Sequence, residues 1–229
     1  MNNQLPLSIL LNDEATLSGF CWKTNELLEM QIHKTLHGED RFLYIWGQRG
    51  SGKSHILQAC CQAAGHQKST AYLPLQVLHE FGPEVLEGVE EQSLICIDDL
   101  DVICGQPSWE EGFFHFYNKI RDYQHASLII SSHMPPSQMP IKLPDLKSRL
   151  GWGLVYQVNE LDEESKAQVL QTIAHKRGFN LPESVIQYVI SRTSRNMHDL
   201  ENLLNRLDEA SLIMQRKITI PFVKQVLEL

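Results

Sequence analysis

Apolar residues are distributed along this chain in two distinct ways. In the first part they form short continuous runs, Phe42 to Trp46, Thr70 to Leu73, Leu94 to Ile97 and Leu128 to Ser131, with a weaker one at Leu154 to Val158. Runs without strict alternation predict strands covered on both faces. Helical segments lie between them, notably Lys53 to Ala64 and Trp109 to Tyr123. This alternation predicts an α/β class fold with a doubly wound parallel sheet of five strands and helices on both faces.

After Tyr156 the pattern becomes helical throughout. Asp162 caps a helix running toward Gly178, Pro182 opens a second, and Met197 to Gln215 reads as a third. Thr219 caps a last helix, with Pro221 in its first turn where a missing N–H costs nothing. Leu200, Leu203, Leu204 and Leu207 share one face of the third helix and read as core. The expected organisation is an N-terminal peptide over 1–18, an α/β domain over 19–158 and a small all-helical domain over 159–229.

The composition is that of a folding chain: 229 residues, 42% hydrophobic and 21% charged. A formal charge of -8 argues against a stand-alone DNA-binding domain, so no direct sequence-specific DNA binding is expected. The cysteines, Cys21, Cys60, Cys61, Cys96 and Cys104, are odd in number and lack C-x-x-C spacing, which suits reduced thiols in a cytosol. The run Ile9 to Leu11 is too short for a signal peptide, and no stretch reaches the ~20 apolar residues of a membrane span. The expectation is a cytoplasmic protein without membrane attachment.

Gly47-Gln48-Arg49-Gly50-Ser51-Gly52-Lys53-Ser54 has the form G-x-x-x-x-G-K-[ST] between an apolar run and a helical segment. In that setting the glycines let backbone N–H groups converge on phosphate oxygens, Lys53 reaches the outer phosphates, and Ser54 ligates magnesium. Gly47, Gly50, Ser51, Gly52, Lys53, Ser54 and the adjoining His55 are therefore candidate nucleotide contacts. The run Leu94 to Ile97 ends in two acids. Asp98 is the candidate magnesium ligand, and Asp99 is either the group that orients the attacking water or an exposed cap. Ser131, Ser132 and His133 end the next run as candidate γ-phosphate sensors. The ten histidines show no H-E-x-x-H or Cys-paired ligand spacing, so no protein-built metal site is expected.

Asp145-Leu146-Lys147-Ser148-Arg149-Leu150-Gly151-Trp152-Gly153 resembles the arginine-finger segment of the replication initiator DnaA. With the phosphate motifs, Phe113 to Asn118 and the Pro135-Pro136 turn, the chain resembles the AAA+ core of DnaA over nearly its whole length. With the sequence closing at Leu229, the expectation is a departure from DnaA, without its helix-turn-helix domain and its N-terminal domain. Arg216 to Lys224 is similar to the closing segment of the Hda family, the DnaA-related regulatory inactivators.

That resemblance implies a set of expectations. Arg149 is an arginine finger acting in trans on ATP held by DnaA, an effect worth roughly 10³ to 10⁵ in rate in related systems. Gln4, Leu5, Leu7 and Ile9, in Gln4-Leu5-Pro6-Leu7-Ser8-Ile9, form a peptide that docks on the β subunit sliding clamp of DNA polymerase III; Ser8-Ile9 departs from the Pro-Leu frequent in the family. In an extended peptide Leu5, Leu7 and Ile9 point to one side. The cofactors expected are an adenine nucleotide, ADP or ATP, and Mg2+, with the base near Phe20 to Asn25. His133 stands where DnaA has a sensor aspartate and His198 where it has a sensor arginine, which implies weak or no intrinsic ATPase activity. Arg195 is an alternative to His198. An autonomous ATPase and a DNA- or helicase-loading homo-oligomer stand as alternatives, and the oligomeric state is open, a homodimer included.

Overall fold

The structure is a computed structural model and describes residues 12, 14–192 and 196–227. Its first elements are helix α1 (Glu26–His37), strand β1 (Phe42–Trp46), α2 (Lys53–Gly65), β2 (Thr70–Pro74) and the short α3 (Leu75–Leu78). There follow β3 (Leu94–Asp98), α4 (Pro107–Tyr123), β4 (Ser127–Ser132), α5 (Pro144–Leu150) and β5 (Leu154–Gln157). The chain then forms α6 (Glu163–Lys176), α7 (Glu183–Arg192), α8 (Met197–Met214) and α9 (Ile220–Leu227).

The strands make one five-stranded sheet in the order β2-β3-β4-β1-β5, every pair parallel. Side chains alternate between its faces. Tyr44, Ile95, Ile97, Leu128 and Ile130 pack with Phe113, Phe116 and Ile120 of α4. Leu43, Ile45, Cys96 and Ile129 are buried on the opposite face, where α1 and α2 contribute Leu28, Ile32, Ile56 and Leu57. Each such side chain contributes about 1.5–3 kcal/mol when fully buried. All five thiols are free, and those of Cys60, Cys61 and Cys96 are buried.

Coverage on both faces holds for β1, β3 and β4. It fails for β5, whose Leu154 and Val155 remain exposed because that strand lies at the sheet edge. Helix α4 begins at Pro107, two residues before the apolar pattern at Trp109, because proline fits the first helical turn. The apolar pattern gave no sign of α1 or of the seven-residue α5.

The described residues fall into two compact units: the sheet with its helices up to Val158, and the residues from Asn159 onward together with Cys21–Asn25 and Gln48–Gly52. The helical part starts where Asp162 Oδ1 accepts the Ser165 N–H at 2.7 Å, and Asn196 caps α8 by accepting from Asp199 N–H at 2.8 Å. Thr219 Oγ1 accepts from Phe222 N–H at 3.4 Å at the head of α9. Leu200, Leu203, Leu204 and Leu207 are buried in one cluster with Leu170, Ile186 and Phe222, as their shared face predicted. Among the described residues no helix is long and apolar enough to cross a membrane.

Candidate functional site

The register of the sheet brings the chemistry to its carboxyl edge. Trp46 lies opposite Ser132 and Ile97 opposite Ile130, so β1, β3 and β4 end within one residue of one another, at the edge where open α/β sheets bind ligands. Gly47 N–H donates to Ser132 O at 3.2 Å, fixing the start of the Gly-rich loop. Gly50 and Gly52 take φ of +81° and +94°, values that side-chain-bearing residues adopt at a cost.

Lys53 opens α2 and is buried, its Nζ donating to Gly47 O at 2.9 Å. Burial pulls its pKa below the usual lysine value, against the opposing pull of Asp99, Asp98 and Asp101. The hydroxyl of Ser51 is buried and has no hydrogen-bond partner among the described residues. An orphaned loop hydroxyl, a buried ammonium and two left-handed glycines are what a phosphate group fits, since it offers acceptors to each donor.

Asp98 is held from both sides. Tyr72 Oη donates to its Oδ2 at 2.7 Å, Gln58 Nε2 donates to Tyr72 Oη at 3.2 Å, and the buried Ser131 hydroxyl donates to Asp98 Oδ1. Ser131 Oγ also accepts the Asp99 N–H at 3.0 Å. Burial, then the neighbouring Asp98, pushes the Tyr72 phenol well above its ordinary value, so it stays a donor. Asp99 takes the left-handed conformation, φ 57° and ψ 53°, which Asp tolerates better than most residues. Burial and Asp98 raise its pKa, with His133 acting the other way.

His133 forms a pair with Asp101, which accepts from its backbone N–H at 3.0 Å and bonds its Nδ1 at 2.9 Å. Burial alone would raise the Asp101 pKa, yet the His133 bonds outweigh it and hold the carboxylate below its ordinary range. The ligating atoms of Asp99, Asp101 and His133 lie within 4.8 Å of one another. His55 Nε2 bonds Thr16 O at 3.1 Å, and its ring lies 5.7 Å from that of Phe20. Ser54 is half-buried in the first turn of α2. His198, exposed on α8, pairs through Nε2 with Asn202 Nδ2 at 3.1 Å. Gln4, Leu5, Leu7, Ile9 and Arg195 lie outside the described residues.

Arg149 lies in the last turn of α5, which leads into the edge strand β5. Its guanidinium carbon sits 4.1 Å from the centroid of the Trp152 ring, and Trp152 N–H donates to Arg149 O at 3.1 Å. Among the described residues its buried Nη1 has no hydrogen-bond partner and the side chain has no acidic partner within 4.0 Å. Buried Glu110 of α4 steadies the approach to α5, accepting from Gly105 N at 2.7 Å, Leu143 N at 2.8 Å and Lys142 N at 3.0 Å.

Tyr72, Gln58, Asp101, Glu110 and Trp152 were not singled out by residue type or spacing. Asp101 alone carried a local signal, an acid three residues past Asp98 in the same turn.

A parallel sheet in this order, a Gly-rich loop after β1 and paired acids at the end of β3, followed by a helical unit, define a P-loop protein of AAA+ architecture. Residues 23–157 match the profile of the bacterial DnaA ATPase domain, and residues 162–227 match that of the Hda lid domain. The chain belongs to the Hda family of DnaA-related AAA+ proteins. An uncharacterized protein of Haemophilus influenzae is 43% identical over 231 residues, which cover 100% of both chains. Domain III of DnaA from Thermotoga maritima shares the fold with a TM-score of 0.82 at 20% identity, over 96% of this chain and 98% of that one. AMPPCP-bound DnaA from Aquifex aeolicus does so with a TM-score of 0.73 at 21% identity, over 87% of this chain and 66% of that one.

Proposed function

We propose that this protein holds an adenine nucleotide, ADP or ATP, with Mg2+, and shuts down replication initiation by triggering hydrolysis of the ATP bound to DnaA. Within its own site, Lys53 and the loop amides neutralise phosphate charge, while Ser54 and Asp98 offer oxygens to the metal. Bound magnesium would supply the positive charge that draws the outer phosphates together. Asp99 orients water, and Arg149 reaches in trans to the nucleotide of DnaA, stabilising charge on the transferred phosphoryl group.

Family membership and the AMPPCP-bound relative support the nucleotide. The observation that carries the trans role is the state of Arg149, a guanidinium with no carboxylate partner among the described residues. An arginine committed to an internal acid would have to break that pair before meeting a phosphate. Weak or no intrinsic ATPase activity is the reading for His133, whose ring bonds Asp101, and for His198, which bonds Asn202 and lacks the permanent charge of an arginine.

The peptide with Gln4, Leu5, Leu7 and Ile9 brings the protein to the β sliding clamp on DNA, a reading that rests on its sequence and on the family. The compartment is the cytoplasm, where DnaA and the clamp act. Arg149→Ala should abolish stimulated hydrolysis of DnaA-bound ATP in the presence of clamp-loaded DNA; undiminished stimulation removes the mechanism. Replacing Gln4 and Leu5 by Ala should abolish capture on immobilised clamp. The intact set Lys53, Asp98 and Asp99 favours a second reading, an autonomous ATPase, and sustained phosphate release without DnaA would establish it.

A further inference from the structure

The turn after α5 places two side chains face to face. Gly151 N–H donates to Ser148 O at 3.2 Å and Trp152 N–H to Arg149 O at 3.1 Å, so the chain reverses tightly and brings the indole under the guanidinium. Gly153 then passes so close to β1 that a Cβ there would lie 2.8 Å from Phe42 O. That contact pins the turn to the sheet. Behind it, the ring of Phe42 packs on that of Tyr117 at 4.9 Å, and the Arg149 charge acts on the Tyr117 phenol.

Trp152 nevertheless leaves 66% of its surface exposed, unusual for the largest apolar side chain. No core-packing role accounts for it. A ring face attracts a guanidinium without offering it an acceptor, so Arg149 is held in plane yet keeps its donors unspent. The buried Nη1, without a hydrogen-bond partner among the described residues, marks the same condition: the group is constrained but not satisfied by them. An Asp or Glu at this position would hold the guanidinium more tightly and compete with a phosphate for it. An aromatic face does neither, and lets the planar fork slide along the ring.

We propose that Trp152 is the positioning residue of the arginine finger, restricting Arg149 to a small set of poses from which it reaches the partner's triphosphate. The inference rests on the trans-finger reading above and names the device that prepares the finger.

The experiment compares Trp152→Phe, Trp152→Leu and Arg149→Ala as full chains, titrated into DnaA–ATP with clamp-loaded DNA, reading maximal rate and half-saturating concentration separately. Trp152→Phe should stay within about threefold of the parent maximum, because it keeps an aromatic face. Trp152→Leu keeps an apolar docking surface but loses the face, and should lower the maximum about tenfold with little change in half-saturation. In the free protein, the NMR signal of the Arg149 Nε–H group should carry a ring-current shift that Leu removes and Phe retains.

A full maximal rate with Trp152→Leu, alongside an inactive Arg149→Ala, overturns the positioning role alone. A change confined to half-saturation does the same, making Trp152 a docking residue. An active Arg149→Ala overturns the finger and this inference together. Absence of the ring-current shift in the parent protein overturns the stack itself.

Discussion

The Ser131 hydroxyl donates to the Asp98 carboxylate from the neighbouring strand, and the same oxygen accepts the backbone N–H of Asp99. One buried side chain thus fixes both the Asp98 carboxylate and the left-handed turn at Asp99. Ser131→Ala leaves an acceptor and a donor without their partner in a buried setting. We expect a loss of about 1–3 kcal/mol in folding stability, read by denaturant unfolding, with weaker magnesium-dependent binding of a fluorescent ADP analogue. Unchanged unfolding would mean that water replaces the hydroxyl.

Lys53→Met should separate binding from stability. The ammonium sits at a desolvation cost and bonds Gly47 O, so an apolar side chain of similar length is tolerated in the fold. Nucleotide affinity should fall by at least about tenfold by calorimetry, since a charged donor to phosphate is lost. Equal affinities for parent and variant would remove Lys53 from the phosphate site.

Asp101 should give stability an acid-side dependence. Its folded-state pKa lies below the ordinary carboxylate value because the His133 bonds outweigh burial. Stability from this group is therefore complete above the unfolded pKa near 3.8 and is lost as pH falls through the lower folded value. Asp101→Asn should flatten that part of the stability–pH curve while leaving its shape near neutrality. Thermal melts from about pH 2 to about pH 6 test it.

Glu110 accepts from Lys142 N–H and Leu143 N–H in the segment that leads into α5, and from Gly105 N–H ahead of its own helix. Glu110→Gln replaces one accepting oxygen by a donor and should destabilise by about 1–3 kcal/mol in chemical denaturation. It should also lower stimulated hydrolysis by DnaA, because α5 carries Arg149. Full stability together with full stimulation would show that the loop holds its course without that carboxylate.

The conformation of the Gly-rich loop was legible because each of its parts is local: an apolar run, glycines at fixed offsets, and a lysine opening a helix. The helical unit was legible through its caps, with Asp162 and Thr219 accepting the N–H groups their positions required. What stayed hidden depends on register. Tyr72 meets Asp98 because Pro74 pairs with Asp98 across the sheet, a relation that spacing along the chain does not encode. The exposure of Leu154 and Val155 follows from strand order, which the apolar runs leave open. Trp152 reads in sequence as one more large apolar residue, and only the turn after α5 shows that it faces a guanidinium.

The burial of Cys60, Cys61 and Cys96 turns the seam between α2 and the sheet into a chemical gauge. Alkylation at these sulfurs requires that seam to part, so labelling rates report how often it opens, with Cys21 and Cys104 as the faster internal reference on the same polypeptide.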